Sequence, residues 1–291
     1  MNSRQILIKT GRELAKLGID NPELESEILL RGALRSSDNF LFSHPEAIIS
    51  NPDYQRFRRF VRKRKTGMPI AYIIGEKEFF GINFFINKNV LIPRPESEML
   101  VEIALNFLKL RENSPQNIVD IGTGSGCLII SIAKTFIKKG NNFSYFATDV
   151  SENALFVARK NARRYQLLKE IKFIKSNLLD SKKIPKKIDL ILANLPYIPK
   201  NHPEIDHQKL AFEPASALYG GVKGMELILK LVNQIKSSNR KPGLIVLEIF
   251  EDYAKDLTKK ITKILSDYEV ELLNDLAAKP RFISAKIINK S

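Results

Sequence analysis

Three short segments carry residue types whose spacing suits the handling of a nucleotide-like ligand. The first is Val119-Asp120-Ile121-Gly122-Thr123-Gly124-Ser125-Gly126, placed where an apolar run gives way to a helical pattern over 128–138. Glycines spaced by two let the backbone pass close to a ligand, and free amides at the start of the following helix attract polar or anionic groups. A dinucleotide fingerprint would need a further glycine three residues after Gly124, where this chain has Cys127, and it would not require the acid Asp120 two residues before the first glycine. The nicotinamide reading loses ground accordingly. Asp149 closes the next apolar run, in Ala147-Thr148-Asp149-Val150, where its carboxylate is placed to accept hydrogen bonds from both hydroxyls of a ribose. The competing reading for Asp149 is a helix N-cap acid.

The third segment, Asn194-Leu195-Pro196-Tyr197, follows a fourth apolar run, and the crevice outside the carboxyl ends of strands is where open sheets bind ligands. An amide or aromatic amine nitrogen is a poor nucleophile because its lone pair is delocalised. Accepting both of its hydrogens on fixed oxygens helps, and the Asn194 side-chain oxygen and the Leu195 carbonyl can do this. Pro196 holds Leu195 extended, and Tyr197 offers a flat wall for a planar group. An ordinary strand-ending turn would use the same residue types. The glycine loop upstream favours the functional reading.

Two other features are tempting and carry less. His202 and His207 with Glu204 and Asp206 form a polar cluster, but their spacing matches no standard metal-ligand pair, and a substrate-side loop is the better reading. Cys127 opens a helix, where a thiol can be acidified; an ordinary small buried residue is preferred. No metal is expected.

The elements that must position these groups alternate in type. Apolar runs at 118–121, 143–147, 171–174, 190–193 and 244–247 read as buried parallel strands separated by helices. Two further runs, 268–273 and 282–288, have no helical pattern between them and are expected to form an antiparallel edge pair. The first third of the chain reads as helical. Asn21-Pro22-Glu23 and Asn51-Pro52-Asp53 each give an N-cap followed by proline at the first helical position. The second of these helices carries Tyr54, Phe57, Phe60 and Val61 on an apolar side, with Arg56, Arg58, Arg59, Arg62, Lys63, Arg64 and Lys65 around them, until Thr66-Gly67-Met68-Pro69 stops it. Its basic side reads as a solvated face. A hairpin over 78–87 joins the two regions, and Pro93-Arg94-Pro95 is extended.

Composition bounds the rest. A chain of 291 residues with 44% hydrophobic content can bury a full core in one medium domain plus a small one. No run of 18 apolar residues and no signal-peptide pattern is found, so a soluble cytoplasmic protein is expected. One cysteine excludes an internal disulfide framework. The charge of +15, from 47 Lys and Arg against 32 Asp and Glu, favours encounter with nucleic-acid-containing complexes, although a lysine-rich drift over all surfaces accounts for much of it. Direct nucleic-acid binding is left open, and a monomer is the expectation.

Gly67-Met68-Pro69-Ile70-Ala71-Tyr72-Ile73-Ile74-Gly75, Glu78-Phe79-Phe80-Gly81 and Leu91-Ile92-Pro93-Arg94-Pro95-Glu96-Ser97-Glu98, taken with the glycine loop, Asn194 to Tyr197, Phe212-Glu213-Pro214 and Ala217-Leu218-Tyr219-Gly220-Gly221, resemble the peptide chain release factor glutamine methyltransferases. These are class I methyltransferases with an Asn-Pro-Pro-Tyr motif. The resemblance implies a helical substrate-recognition domain over 1–74, a hairpin linker over 75–94, and over 95–291 a Rossmann-like α/β domain with a mostly parallel sheet. It also implies S-adenosylmethionine as methyl donor, held by Asp120, Gly122, Thr123, Gly124, Ser125, Gly126, Asp149, Asn177, Leu178 and Asn194. Asn194, Leu195, Pro196 and Tyr197 would bind the glutamine of a Gly-Gly-Gln motif in a release factor and carry the direct methyl transfer to its side-chain nitrogen.

The chain departs from the family pattern at Leu195 for proline, Asn177 for aspartate, Ser97 for threonine, Lys223 for aspartate and Phe250 for glycine. The last three are expected to lie away from the amide clamp. A ribosomal-protein glutamine methyltransferase, a nucleic-acid adenine methyltransferase and a non-catalytic S-adenosylmethionine-binding protein are the alternatives.

Overall fold

The computed structural model describes residues 2–35, 40–137, 139–203, 207–238 and 240–288, and the chain divides into two compact units, Met1–Glu76 and Lys77–Ser291. The first unit contains α1 (Ser3–Ala15), α2 (Pro22–Leu34), α3 (Phe40–Ser43), α4 (Asn51–Lys65) and α5 (Ile70–Ile74). Asn2 caps α1 in a reciprocal box with Gln5. Asn21 precedes α2 without a side-chain cap bond, and the cap of α4 is Ser50, one residue earlier than the Asn-Pro-Asp pattern predicts. Ser50 is extended, so its hydroxyl reaches the Asp53 amide at 3.3 Å, whereas Asn51 has already entered the helix.

Phe57 and Val61 of α4 are buried in a small core with Ile6, Leu14, Leu29, Leu30 and Ile73. The basic side of α4 is not simply solvated. Arg58 and Lys65 both reach Glu13 of α1, at 3.2 and 2.8 Å, and Arg64 makes a two-pronged pair with Glu25 of α2 at 2.6 and 3.0 Å. The charge run therefore fixes α4 against its neighbours, and a single acid, Glu13, neutralises two of its cations. Those contacts hold the Glu13 carboxyl below its ordinary range, with Lys65 the largest cause.

Strands β1 (Glu76–Phe79) and β2 (Ile82–Phe85) form a hairpin whose two-residue turn has φ of 52° at Phe80 and 68° at Gly81. Right-handed strand twist selects such a turn, and Phe80 tolerates it because its amide donates to Glu98 at 2.9 Å. The second unit continues with α6 (Glu98–Lys109), β3 (Gln116–Ile121), α7 (Cys127–Ile137), β4 (Phe143–Asp149), α8 (Glu152–Arg164), β5 (Ile171–Lys175), β6 (Leu190–Ala193), β7 (Ile198–Pro199), α9 (His207–Leu210), α10 (Ala215–Leu218), β8 (Tyr219–Gly221), α11 (Glu226–Ser237), β9 (Leu244–Glu248), α12 (Ala254–Ile264), β10 (Tyr268–Asn274) and β11 (Pro280–Ile287). Seven strands form one sheet in the order β10-β11-β9-β6-β3-β4-β5. The five strands from β9 to β5 are parallel, and β11 and β10 close the edge antiparallel. The five apolar runs thus lie on adjacent strands, and the two last runs make the edge pair that the sequence predicts.

Within the second unit, buried Asn161 of α8 ties the hairpin to the glycine loop. It accepts from the Phe85 amide at 2.8 Å and donates to the Phe85 and Ser125 carbonyls, both at 2.9 Å. Among the described residues no helix is long and apolar enough to cross a membrane.

Candidate active site

Parallel register lines up the ends of four strands. Ile121 of β3 pairs with Thr148 of β4 and with Ala193 of β6, and Ala193 pairs with Leu247 of β9. The next residues are therefore Asp149, Gly122, Asn194 and Glu248, side by side across the sheet. The chain runs outward from β3 through β4 to β5, then returns to place β6 on the other side of β3, so a crevice opens between the β3 and β6 ends. It forms a cavity of about 1020 Å³, its solvent-open mouth included. Gly122 to Ser125, Asp149, Asn177, Leu178 and Asn194 to Pro196 line it.

The three glycines have positive φ and different surroundings. The Gly122 and Thr123 amides both donate to the Thr148 carbonyl, at 2.9 and 2.8 Å, and the Gly124 amide donates to Asp149 Oδ2 at 3.0 Å. A Cβ at Gly122 would stand 2.9 Å from Leu195 Cδ2, and one at Gly126 would meet Ile130 at 2.9 Å and Ala158 at 3.2 Å. At Gly124 nothing lies within 4 Å. Gly124 faces the cavity, whereas Gly126 and Asp120 support the loop from behind and do not line it. Asp120 is fully buried, accepts from the Thr123 hydroxyl at 2.6 Å, and has no hydrogen bond to Oδ1. Burial raises its carboxyl to about 7 against the opposing Thr123 bond.

Asp149 accepts from Ser151 and Gly124 amides, one on each oxygen, and burial raises its pKa against those bonds. The cap of α8 is Ser151, which accepts from Ala154, so the N-cap reading of Asp149 falls away. Beyond β5, the Ser176 amide donates to the Asp149 carbonyl at 2.9 Å, and Leu178 turns at φ 54° into the cavity wall.

Both hydrogens of the Asn194 amide are engaged, by Ser97 Oγ at 2.8 Å and Glu248 Oε2 at 2.9 Å. Among the described residues neither Asn194 Oδ1 nor the Leu195 carbonyl accepts a hydrogen bond, so both oxygens remain available beside the cavity. Tyr197 does not line the cavity. Its hydroxyl donates to Glu248 Oε1 at 3.0 Å, and its ring stacks on Phe250 with centroids 6.3 Å apart. Burial, then the Glu248 charge, keep its phenol protonated. The segment is fixed from behind by Tyr253, whose hydroxyl donates to the Tyr197 carbonyl at 2.6 Å, and by Gly220 and Gly224, whose backbones leave no room for a Cβ against the Pro196 and Tyr197 carbonyls.

Two sequence expectations are corrected here. Ser97 touches the clamp directly, because the turn Pro95–Ser97 carries it under Asn194, and Phe250 touches Tyr197 because β9 ends beside β6. Glu248 is not among the residues that the sequence motifs single out, although an acid closing the all-apolar strand Leu244-Ile245-Val246-Leu247-Glu248 is a visible signal.

The remaining polar features lie elsewhere. His202 pairs with Asp252 at 2.7 Å and His207 with Tyr219 at 2.8 Å, while Glu204 and Asp206 fall outside the described residues. Among the described residues no cluster of three or more His, Cys, Asp or Glu could hold a metal. Burial pushes the Cys127 thiol up to about 12, which makes it inert.

Residues 5–75 match a family described as the PrmC N-terminal domain, and residues 112–279 match a methyltransferase domain. A release factor glutamine methyltransferase of Nitratidesulfovibrio vulgaris is 35% identical over 97% of this chain and 94% of its own length. One from Rhodopirellula baltica is 32% identical over 92% of this chain and 90% of its own length. Among solved structures, the N-terminal domain of human METTL16 in complex with SAH shares the fold, with a TM-score of 0.52 at 16% identity over 82% of this chain and 84% of that one.

Proposed function

The chain belongs to the release factor glutamine methyltransferases, and from that premise we propose that it transfers a methyl group from S-adenosylmethionine to the side-chain amide nitrogen of the Gly-Gly-Gln glutamine of a peptide chain release factor. The observation that carries this is the Asn194 amide, with both hydrogens engaged and Oδ1 left beside the cavity, one strand away from the glycine loop.

The cavity residues suit the donor. Gly124 has no neighbour within 4 Å of a Cβ position, which leaves room for a ligand against bare backbone. Asp149 keeps lone pairs for a ribose, and Leu178 with Val150 and Ala154 gives an apolar wall for a purine. When bound, S-adenosylmethionine supplies a methyl group on a sulfonium, which is electrophilic without a metal. A cationic donor fits a crevice lined by Asp149, with the acids Asp120 and Glu248 buried behind its wall.

The chain itself orients the amide. Asn194 Oδ1 and the Leu195 carbonyl accept the two substrate N–H groups, Pro196 keeps Leu195 extended, and the nitrogen is held facing the cavity. Asn194 is no base, and Glu248 already accepts three hydrogen bonds, so the amide proton leaves to water after the nitrogen has been methylated and become acidic.

The test is label transfer from radiolabelled S-adenosylmethionine to purified release factor, to its Gly-Gly-Gln variant with glutamine replaced by alanine, and to DNA, using wild type and Asn194→Ala. Label on the unmodified release factor alone, lost with Asn194→Ala, is expected. Label on DNA alone would replace the glutamine reading with adenine methylation.

A further inference from the structure

We propose that Glu248 is a positioning residue, which holds the Asn194 side chain in the single orientation that presents Oδ1 to the substrate. The proposal rests on the amide-clamp reading above. Glu248 is 1% exposed and does not line the cavity, so it cannot meet the substrate itself. It acts through hydrogen-bond direction.

An ionised carboxylate only accepts. Ser97 Oγ donates its one hydrogen to Glu248 Oε2 at 2.6 Å and can then only accept, which it does from Asn194 Nδ2 at 2.8 Å. The second Nδ2 hydrogen goes to Glu248 Oε2 at 2.9 Å. A flipped Asn194 would face Oδ1 toward that carboxylate oxygen and lose both bonds. Tyr197 donates to the other carboxylate oxygen at 3.0 Å, so the same residue orders both ends of the Asn194 to Tyr197 segment. With ionised Glu248, donors and acceptors around Asn194 have one consistent arrangement. Glutamine in place of Glu248 has nearly the same shape but carries its own donor, and that donor satisfies a flipped Asn194 equally well.

The experiment compares wild type and Glu248→Gln. It measures hydrogen exchange of the ¹⁵N-labelled Asn194 side-chain amide, the affinity for S-adenosylhomocysteine, and kcat and KM for release factor. For Glu248→Gln the exchange rate is expected to rise at least about tenfold and kcat to fall about 100-fold, the scale of losing one well-placed polar group in a preorganised site. KM and ligand affinity should stay within about threefold, since the groups that touch the ligands are unchanged. Unchanged exchange, a kcat within about threefold of wild type, or a loss of ligand affinity in step with kcat would each overturn the positioning role. If wild type fails to label release factor, the substrate reading falls, and the exchange measurement alone decides on Glu248.

Discussion

Gly124 and Gly126 occupy the same loop with positive φ, yet substitution by alanine should separate binding from stability. A left-handed conformation costs a non-glycine residue about 1–2 kcal/mol, and both variants carry that cost. Gly124→Ala should lose little more, because nothing lies within 4 Å of the added methyl. Gly126→Ala must also displace Ile130 at 2.9 Å and Ala158 at 3.2 Å. Overpacking of that kind adds about 1–3 kcal/mol, for a total of about 2–5 kcal/mol. Ligand binding should behave oppositely. A ligand present at about 100 times its Kd stabilises the folded state by about 2.7 kcal/mol. S-adenosylhomocysteine should give that increment to wild type and most of it to Gly126→Ala, but little to Gly124→Ala, whose methyl enters the cavity. Denaturant titrations with and without the ligand read both quantities. A Gly124→Ala variant that binds as wild type, or a Gly126→Ala variant as stable as Gly124→Ala, would refute the division of roles within the loop.

Other expectations follow from the buried acids and the cations. Burial raises Asp120 from 3.8 to about 7, so between those values the folded chain holds a proton that the unfolded chain has released. Stability without ligand should therefore fall as pH rises through that window, with Asp149 and Glu248 contributing in the same direction, and Asp120→Asn should flatten the slope. Equal slopes in the two proteins, from denaturant titrations across the window, would refute this. Charge reversal at Arg58 and Arg59 breaks the Arg58 pair with Glu13 and should cost under about 1 kcal/mol, leaving S-adenosylhomocysteine affinity unchanged by calorimetry. Tyr253→Phe removes the hydroxyl that binds the Tyr197 and Gly224 carbonyls. A destabilisation of about 1 kcal/mol with a fall in kcat is expected, and unchanged kcat would show that the Tyr197 carbonyl is held well enough by its glycine neighbours.

The parallel sheet was legible because its strands are near-continuous apolar runs buried on both faces, and periodicity reports burial directly. The glycine loop, Asp149 and Asn194 were legible because each lies at or just beyond the end of such a run. Glu248 ends such a run too, but its role and that of Ser97 were not legible, since their partnership with Asn194 joins positions 54 and 97 residues away and depends on which strands become neighbours. Local spacing carries no record of that order. The cap of α4 was misplaced for a related reason. Both Ser50 and Asn51 are good caps by type, and only the backbone conformation of Ser50 chooses between them. The ion pairs of α4 leave no mark in its local sequence, because Glu13 and Glu25 lie on other helices.

The alignment of Asp149, Gly122, Asn194 and Glu248 also sets how the site tolerates change. Their spacing is a property of the backbone ladder, with four paired positions joining β3 to β6 and four joining β6 to β9. Such a ladder shifts only in whole residues, and a shift of one turns every side chain on the strand to the opposite face. Lengthening β9 by one residue before Glu248 would therefore abolish the clamp outright and could not be compensated by nearby side chains. The same insertion in the turn between β10 and β11 would leave all four residues where they are. Fraying at the outer strands, β5 and β10, likewise begins two strands from the β3–β6 crevice on one side and three on the other, so its geometry should persist while the sheet margins loosen.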